Sequence, residues 1–430
     1  MPLGSRTLFR VTTETRHMDS TSPAGRTPTK AAVAFAVYVS VLTAAYYYNL
    51  TFIQLGLTDL GLERLGLSPE RVAVGMGVLA LVTLCTTLVS GYLMDRLGVG
   101  ANPLSKFRVL FGIVVLQVAT TYAVTAVTSF EQFLTWIALC SLLLGTAIPF
   151  AFSLLLDLVR PGIRGYAAGA VAGCAFFLAA LFPFEWTIES FVPSAVAVLA
   201  PVALLLGVLS VPSIGDWVSG SRTDDSPGRQ PVGVTQSGML TAAFVGGVVL
   251  LFGAFFVDSL GFVRIIESEY VEASWQSSEL GTRLLIAMTH VIGGLAAGVA
   301  YAKLRYHWLF VATFVLFAAA QFLYVYDAAV GGPAALAAVR PLLYVLAVSC
   351  YTTVAFALWP DLATPDRVGT YTAVGIGIGG WLATFTSTAA ALVSERAEIA
   401  LEVHLFIVGS VSVAFLLITG VLMYRAVQTA

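Results

Sequence analysis

Two ionisable side chains stand inside long apolar runs. His290 falls about ten residues into its run, where an imidazole can take up or release a proton near neutral pH. Asp258 stands near the end of another run, with Arg264 and Glu267 just beyond it. A charge is costly to place in apolar surroundings, so both residues are candidates for carrying a proton. Each has a plainer reading as well: His290 packed and bonded to a backbone carbonyl, Asp258 as an interfacial charge beside Arg264. The stretch Tyr46-Tyr47-Tyr48-Asn49, followed by Gln54, offers ring faces with polar tips and two amides. Such groups suit small neutral or amphipathic ligands. Three successive helical positions point three ways, so only one or two of these rings can share a face. Tyr47, Tyr48, Asn49 and Gln54, with Tyr351 and Trp381 from later runs, form the substrate-contact candidates. Trp136 and Trp186 are weaker ones, because aromatics near the ends of such runs commonly anchor at an interface. Mid-run positions carry no Arg or Lys, which argues against a strongly anionic ligand.

Enzymatic chemistry leaves no mark. The chain has no His-Glu-x-x-His, no Gly-x-x-x-x-Gly-Lys-Ser/Thr and no Gly-x-Ser-x-Gly. Its four histidines (His17, His290, His307, His404) fall in separate segments, so neither a metal centre nor a cofactor is expected. The four cysteines (Cys85, Cys140, Cys174, Cys350) lie one each in separate runs and read as small core residues. Lys30, Lys106 and Lys303 all stand at the cytoplasmic edges of runs, which excludes a Schiff-base lysine within a run. Nothing points to nucleic acid.

These residues must be positioned by helices in a bilayer. Apolar residues make up 58% of the chain and charged ones 11%, a balance that needs lipid as solvent. Runs of about twenty apolar residues recur near 33–57, 72–94, 109–127, 133–156, 165–184 and 194–211. Six more lie near 239–257, 280–302, 308–326, 341–360, 369–392 and 403–424. In hydrocarbon the backbone has no water to bond, so each run must be a helix. The chain is therefore predicted to be an all-α polytopic membrane protein with twelve transmembrane helices.

Charge orients it. Arg96, Lys106, Arg108, Arg160, Arg164, Lys303 and Arg305 fall in alternate loops; Asp59, Glu63, Glu267, Glu269, Glu272, Glu279, Glu395, Glu398 and Glu402 fall in the others. Basic loops are retained in the cytoplasm, which predicts both termini inside. Residues 1–30 read as a disordered cytoplasmic tail in which Met18 could be the true start, with no cleaved signal peptide. Residues 31–211 then form one six-helix bundle and 239–430 another. The stretch 212–238, with Asp224 and Asp225, has the composition of a cytoplasmic linker. Asp157-Leu158 with Pro161 and Gly165 after run four matches Asp361-Leu362 with Pro365 and Gly369 after run ten, the mark of an internal repeat.

The loop Gly91-Tyr92-Leu93-Met94-Asp95-Arg96-Leu97-Gly98 resembles the signature loop between helices two and three of the major facilitator superfamily (MFS), and Gly298 to Arg305 is similar to a decayed second copy. The resemblance implies the MFS fold of two six-helix pseudo-repeats, with substrate held between the halves near mid-membrane. It implies a monomeric permease of the plasma membrane that moves a small molecule by alternating access, with protons as a further partner. It also implies a conformational latch of Gly91, Asp95, Arg96, Gly98, Asp157 and Arg164. In this latch Asp95 meets the start of helix eleven near Gly369, and Arg96 pairs with Asp157. Gly165, Gly169 and Gly173 of helix five would face Gly294 and Gly298 of helix eight across the seam between halves. The chain departs from many proton-coupled members: Ser141 stands where they carry Arg, four residues before Gly145, and helix one holds no acid. Helix five lacks the Gly-Pro pair of the antiporter signature. A non-transporting sensor or assembly factor on the same fold is the alternative, and it would have no need of the polar Asn49 and Gln54 in helix one.

Overall fold

The computed structural model describes residues 28–183, 185–220, 237–266, 268, 270, 274, 276–331 and 334–428. Met18, His17, most of the expected tail, the linker stretch 221–236 and Glu267, Glu269 and Glu272 lie outside the described residues.

Twelve helices are long and apolar enough to cross a membrane. They are α1 (Pro28–Arg64), α2 (Pro69–Arg96), α3 (Pro103–Ala126), α4 (Phe130–Leu158), α5 (Pro161–Leu181) and α6 (Ile188–Leu209), then α7 (Ala242–Ile265), α8 (Leu280–Lys303), α9 (Tyr306–Val330), α10 (Ala338–Leu362), α11 (Val368–Arg396) and α12 (Leu401–Arg425). The protein is a multi-pass membrane protein, and its described residues contain no strand.

Short polar signals set the helix ends. Pro69 and Pro103 occupy first-turn positions, where a missing N–H costs nothing. Asn102 caps α3 by accepting from the Ser105 N–H at 3.2 Å, and Ser129 caps α4 by accepting from Gln132 at 3.3 Å. Gly98 follows α2 with φ 67°, a left-handed turn that glycine adopts without strain. Asp59 accepts the Ile188 N–H at 2.6 Å and so ties the end of α1 to the start of α6.

Two helices depart from regular α geometry. α1 becomes a π-helix over Phe52–Arg64 and runs past the apolar stretch 33–57, and α11 does the same over Gly377–Leu382. Wide turns of this kind re-aim side chains and gather at functional sites. The stretch 212–219, read from composition as linker, is a short helix, Pro212–Ser219, started by its proline. It packs on α1, α3, α4 and α6, with Lys30 above the Trp217 ring at 5.4 Å.

Burial sorts the helices into central and peripheral. The most apolar stretches of α4 and α10 are 72% and 78% buried, against 28% for α12, so the first two line the centre and the last faces lipid. The halves meet where α5 packs along α8 and α2 along α11.

Candidate functional site

A cavity of about 660 Å³ lies between the halves, within the range of sites for small ligands. Tyr46 and Asn49 of α1 line it from one half; Asp258 of α7, Tyr351 of α10 and Trp381 of α11 line it from the other. Leu62, Pro69, Gln276 and Glu395 line its upper end, so it opens towards the acid-rich face.

Asp258 lines this cavity from α7. The Tyr344 hydroxyl donates to Asp258 Oδ1 at 2.6 Å and lies 2.8 Å from the Asp258 carbonyl. The Tyr351 hydroxyl donates to Oδ2. Arg264 reaches the other way, with Nη2 3.5 Å from the Ile399 carbonyl, so the interfacial pair that the sequence offered as a plain reading does not form. Asn49 Oδ1 is buried at the cavity wall with no hydrogen-bond partner among the described residues.

His290 also borders the cavity, at the seam of α5 and α8. Its ring stacks on Phe176, with centroids 4.0 Å apart and planes 8° from parallel. Nδ1 lies 3.1 Å from Ser349 Oγ. That hydroxyl donates to the Val345 carbonyl at 3.0 Å, which leaves its oxygen to accept from the histidine.

Of the tyrosine run, Tyr46 is the member that reaches the cavity. Its ring meets Phe176 and Phe356 edge-on, at 5.4 and 5.2 Å. Tyr47 is buried against Phe182, and Tyr48 stacks on Phe52 and sits 3.8 Å from the Cys140 sulfur. Neither Tyr47 nor Tyr48 lines the cavity: their directions on α1 carry them into packing with α5, α6 and α4. Asn49, Gln54, Tyr351 and Trp381 do line it. Sequence reasoning missed Tyr46 and Tyr344. The available signals were spacing: Tyr46 shares a face with Asn49 at i+3 and Ile53 at i+7, as Tyr344 does with Tyr351. Trp136 is structural, donating its indole N–H to the Thr120 carbonyl at 2.7 Å.

The face opposite the opening is closed by contacts that cross between halves. Asp95, at the end of α2, accepts the N–H groups of Gly369 and Thr370 at 2.8 and 2.6 Å. These are first-turn amides of α11, where the helix dipole favours a carboxylate. A Cβ on Gly91 would come within 2.5 Å of the Gly369 carbonyl, so only glycine lets α2 and α11 approach this closely. Arg164 of α5 pairs with Asp361 of α10 at 2.7 Å, and the Tyr301 hydroxyl donates to the same carboxylate at 2.9 Å.

The pairing of Arg96 with Asp157 is not found. Lys106 holds Asp157 at 2.6 Å with both side chains fully buried, whereas Arg96 is exposed above the Tyr92 ring. Along α5 and α8 glycines meet glycines. A Cβ on Gly165 would lie 2.7 Å from the Gly298 carbonyl, and one on Gly294 would lie 2.6 Å from the Gly169 carbonyl. A Cβ on Gly173 would lie 3.1 Å from the Val291 Cα.

No family model and no curated protein matches the chain. Solved structures do. The proton:xylose symporter XylE, bound to 6-bromo-6-deoxy-D-glucose, is 14% identical with a TM-score of 0.62 over 90% of this chain and 94% of that one. The E. coli fucose:proton symporter FucP is 16% identical with a TM-score of 0.59 over 91% and 99%. The human organic anion transporter MFSD10 (TETRAN) is 15% identical with a TM-score of 0.61 over 91% and 100%. At such identities the likeness speaks for architecture: the chain has the fold of the major facilitator superfamily.

Proposed function

We propose that the chain is a secondary transporter that moves a small neutral or amphipathic solute across a plasma membrane by alternating access. It works as a monomer with both termini in the cytoplasm. The observation that carries this reading is the cavity between the halves, open at the acid-rich face and closed at the other by Asp95, Arg164 and Asp361. The basic loops lie on the closed face, so the described conformation is open to the outside. Because the closing contacts join one half to the other, they form a latch that breaks when the halves rock and the cavity opens inward. In this reading Asp258 and His290, which both line the cavity, couple transport to protons. The lining amides and hydroxyls favour a solute site over a sensor or assembly role, for which no such cavity is needed.

Flux through reconstituted liposomes tests the reading. Liposomes carrying the protein and loaded with a panel of neutral and amphipathic solutes should release at least one of them. Ala101→Cys and Asp366→Cys, exposed positions on loops that touch through Gly100 and Pro365, allow the latch to be cross-linked shut. Cross-linking should stop the release. Release that persists with the latch locked, or none for any solute, would overturn transport by alternating access.

A further inference from the structure

The charge balance of the cavity narrows the class of solute. Among the described lining residues Asp258 and Glu395 are acids, and Arg264, held at the rim against Ile399, is the one Arg or Lys. Asp258 has no ion pair among the described residues. Its two oxygens instead each receive a phenolic O–H, from Tyr344 and Tyr351. An ionised carboxylate only accepts hydrogen bonds, so donors on both oxygens suit the anion. Each oxygen keeps further lone-pair capacity. A buried anion without a countercharge is costly, and a cation brought in by a ligand relieves that cost.

The surroundings fit an organic cation. Phe255 packs on Tyr351 with centroids 4.8 Å apart, Phe262 lies 6.3 Å from Tyr344, and Tyr46 and Trp381 add two more rings to the cavity lining. Aromatic faces attract cations and accept apolar bodies. Asn49 Oδ1, buried and without a partner among the described residues, is an acceptor for an N–H in the same cavity. Resting on the transporter reading, we propose that the solute is an amphipathic organic cation: a protonated amine whose N–H groups bind Asp258 and Asn49, with an aromatic or alkyl body against Tyr46, Phe255 and Trp381.

A matched pair of probes tests this on the full chain in lipid nanodiscs. Phenylbutylammonium carries the cation, and phenylbutanol has the same body with a neutral head. Calorimetric titration should show the ammonium binding at least about tenfold more tightly than the alcohol, a difference of about 1.4 kcal/mol. Asp258→Asn should abolish that preference, and Asp258→Glu should keep it. Equal binding of the two probes by the unmodified chain, or no ammonium binding, would overturn the proposal even if Asp258→Asn failed to fold. So would Asp258→Asn binding the ammonium as tightly as the unmodified chain. None of these results touches the transporter reading, which stands or falls on the release of a panel of solutes from liposomes with the latch free and with it locked.

Discussion

Asp95 and Gly369 lie 274 positions apart in the chain, yet the carboxylate of one accepts the backbone N–H of the other at 2.8 Å. One residue ends α2 and the other starts α11, so the bond spans the two halves. A carboxylate in this position is worth up to about 1–2 kcal/mol when partly buried. Asp95→Asn should therefore raise the population open at the basic face by about five- to thirty-fold. Spin labels at Ala101→Cys and Asp366→Cys would report it as growth of a second, longer distance. An unchanged distance distribution would show that Asp95 does not hold this face shut.

Two ion pairs on the same face should behave differently. Lys106 and Asp157 both belong to the first half and are fully buried, so Lys106→Ala strips the ammonium from a buried carboxylate. The expected loss is about 3–5 kcal/mol of stability, seen as a lower unfolding temperature with little change in the distance between halves. Arg164 and Asp361 join the halves and keep some exposure, 13% and 27%, which limits their worth to about 1 kcal/mol or less. Arg164→Ala should leave the unfolding temperature nearly unchanged and lengthen the distance at the basic face. The charge swap Arg164→Asp with Asp361→Arg should restore it.

The glycine seam gives a steric prediction. A Cβ on Gly294 would sit 2.6 Å from the Gly169 carbonyl, a backbone atom that cannot swing aside. Gly294→Ala should force α5 and α8 apart at a cost of about 1–3 kcal/mol. The cost falls on the closed arrangement, so the basic face should open. Gly112→Ala, at a position where a Cβ meets nothing within 4 Å, should have no such effect.

The tyrosine run separates binding from packing. Tyr46 lines the cavity, whereas Tyr48 is buried among Phe52, Phe191 and Cys140. Tyr46→Ala should weaken solute binding by about tenfold with a small change in stability. Tyr48→Ala should cost about 3–5 kcal/mol as a buried aromatic deletion. Binding to whatever fraction stays folded should then be near normal. Equal effects of the two changes on binding would mean that Tyr48 also touches the solute.

The helices were legible in the sequence because an apolar run of that length has a single backbone solution in lipid. The helix that Asp95 touches was implied by the resemblance of the Gly91–Gly98 loop to the superfamily's signature. Side-chain directions were harder. Three adjacent tyrosines cover most of the circumference of a helix, and their sorting depends on neighbours: Phe191 of α6 near Tyr48, Phe182 near Tyr47, Phe356 of α10 against Tyr46. The partner of Asp157 turned on which of several basic residues could be buried with it, and Lys106 enters from α3 where Arg96 stays in solvent. Tyr344 looked like any ring in an apolar run; its meaning comes from Asp258, 86 positions away.

The most direct test of the account is the distance between halves measured on both faces of one protein. Pulsed electron resonance would use one label pair at Ala101→Cys and Asp366→Cys and another at Glu70→Cys and Arg396→Cys, after replacement of the four native cysteines. Alternating access predicts two populations with opposite signs: when the basic-face distance lengthens, as in Asp95→Asn, the acid-face distance shortens. A single fixed distance on each face, unmoved by Asp95→Asn, would contradict it.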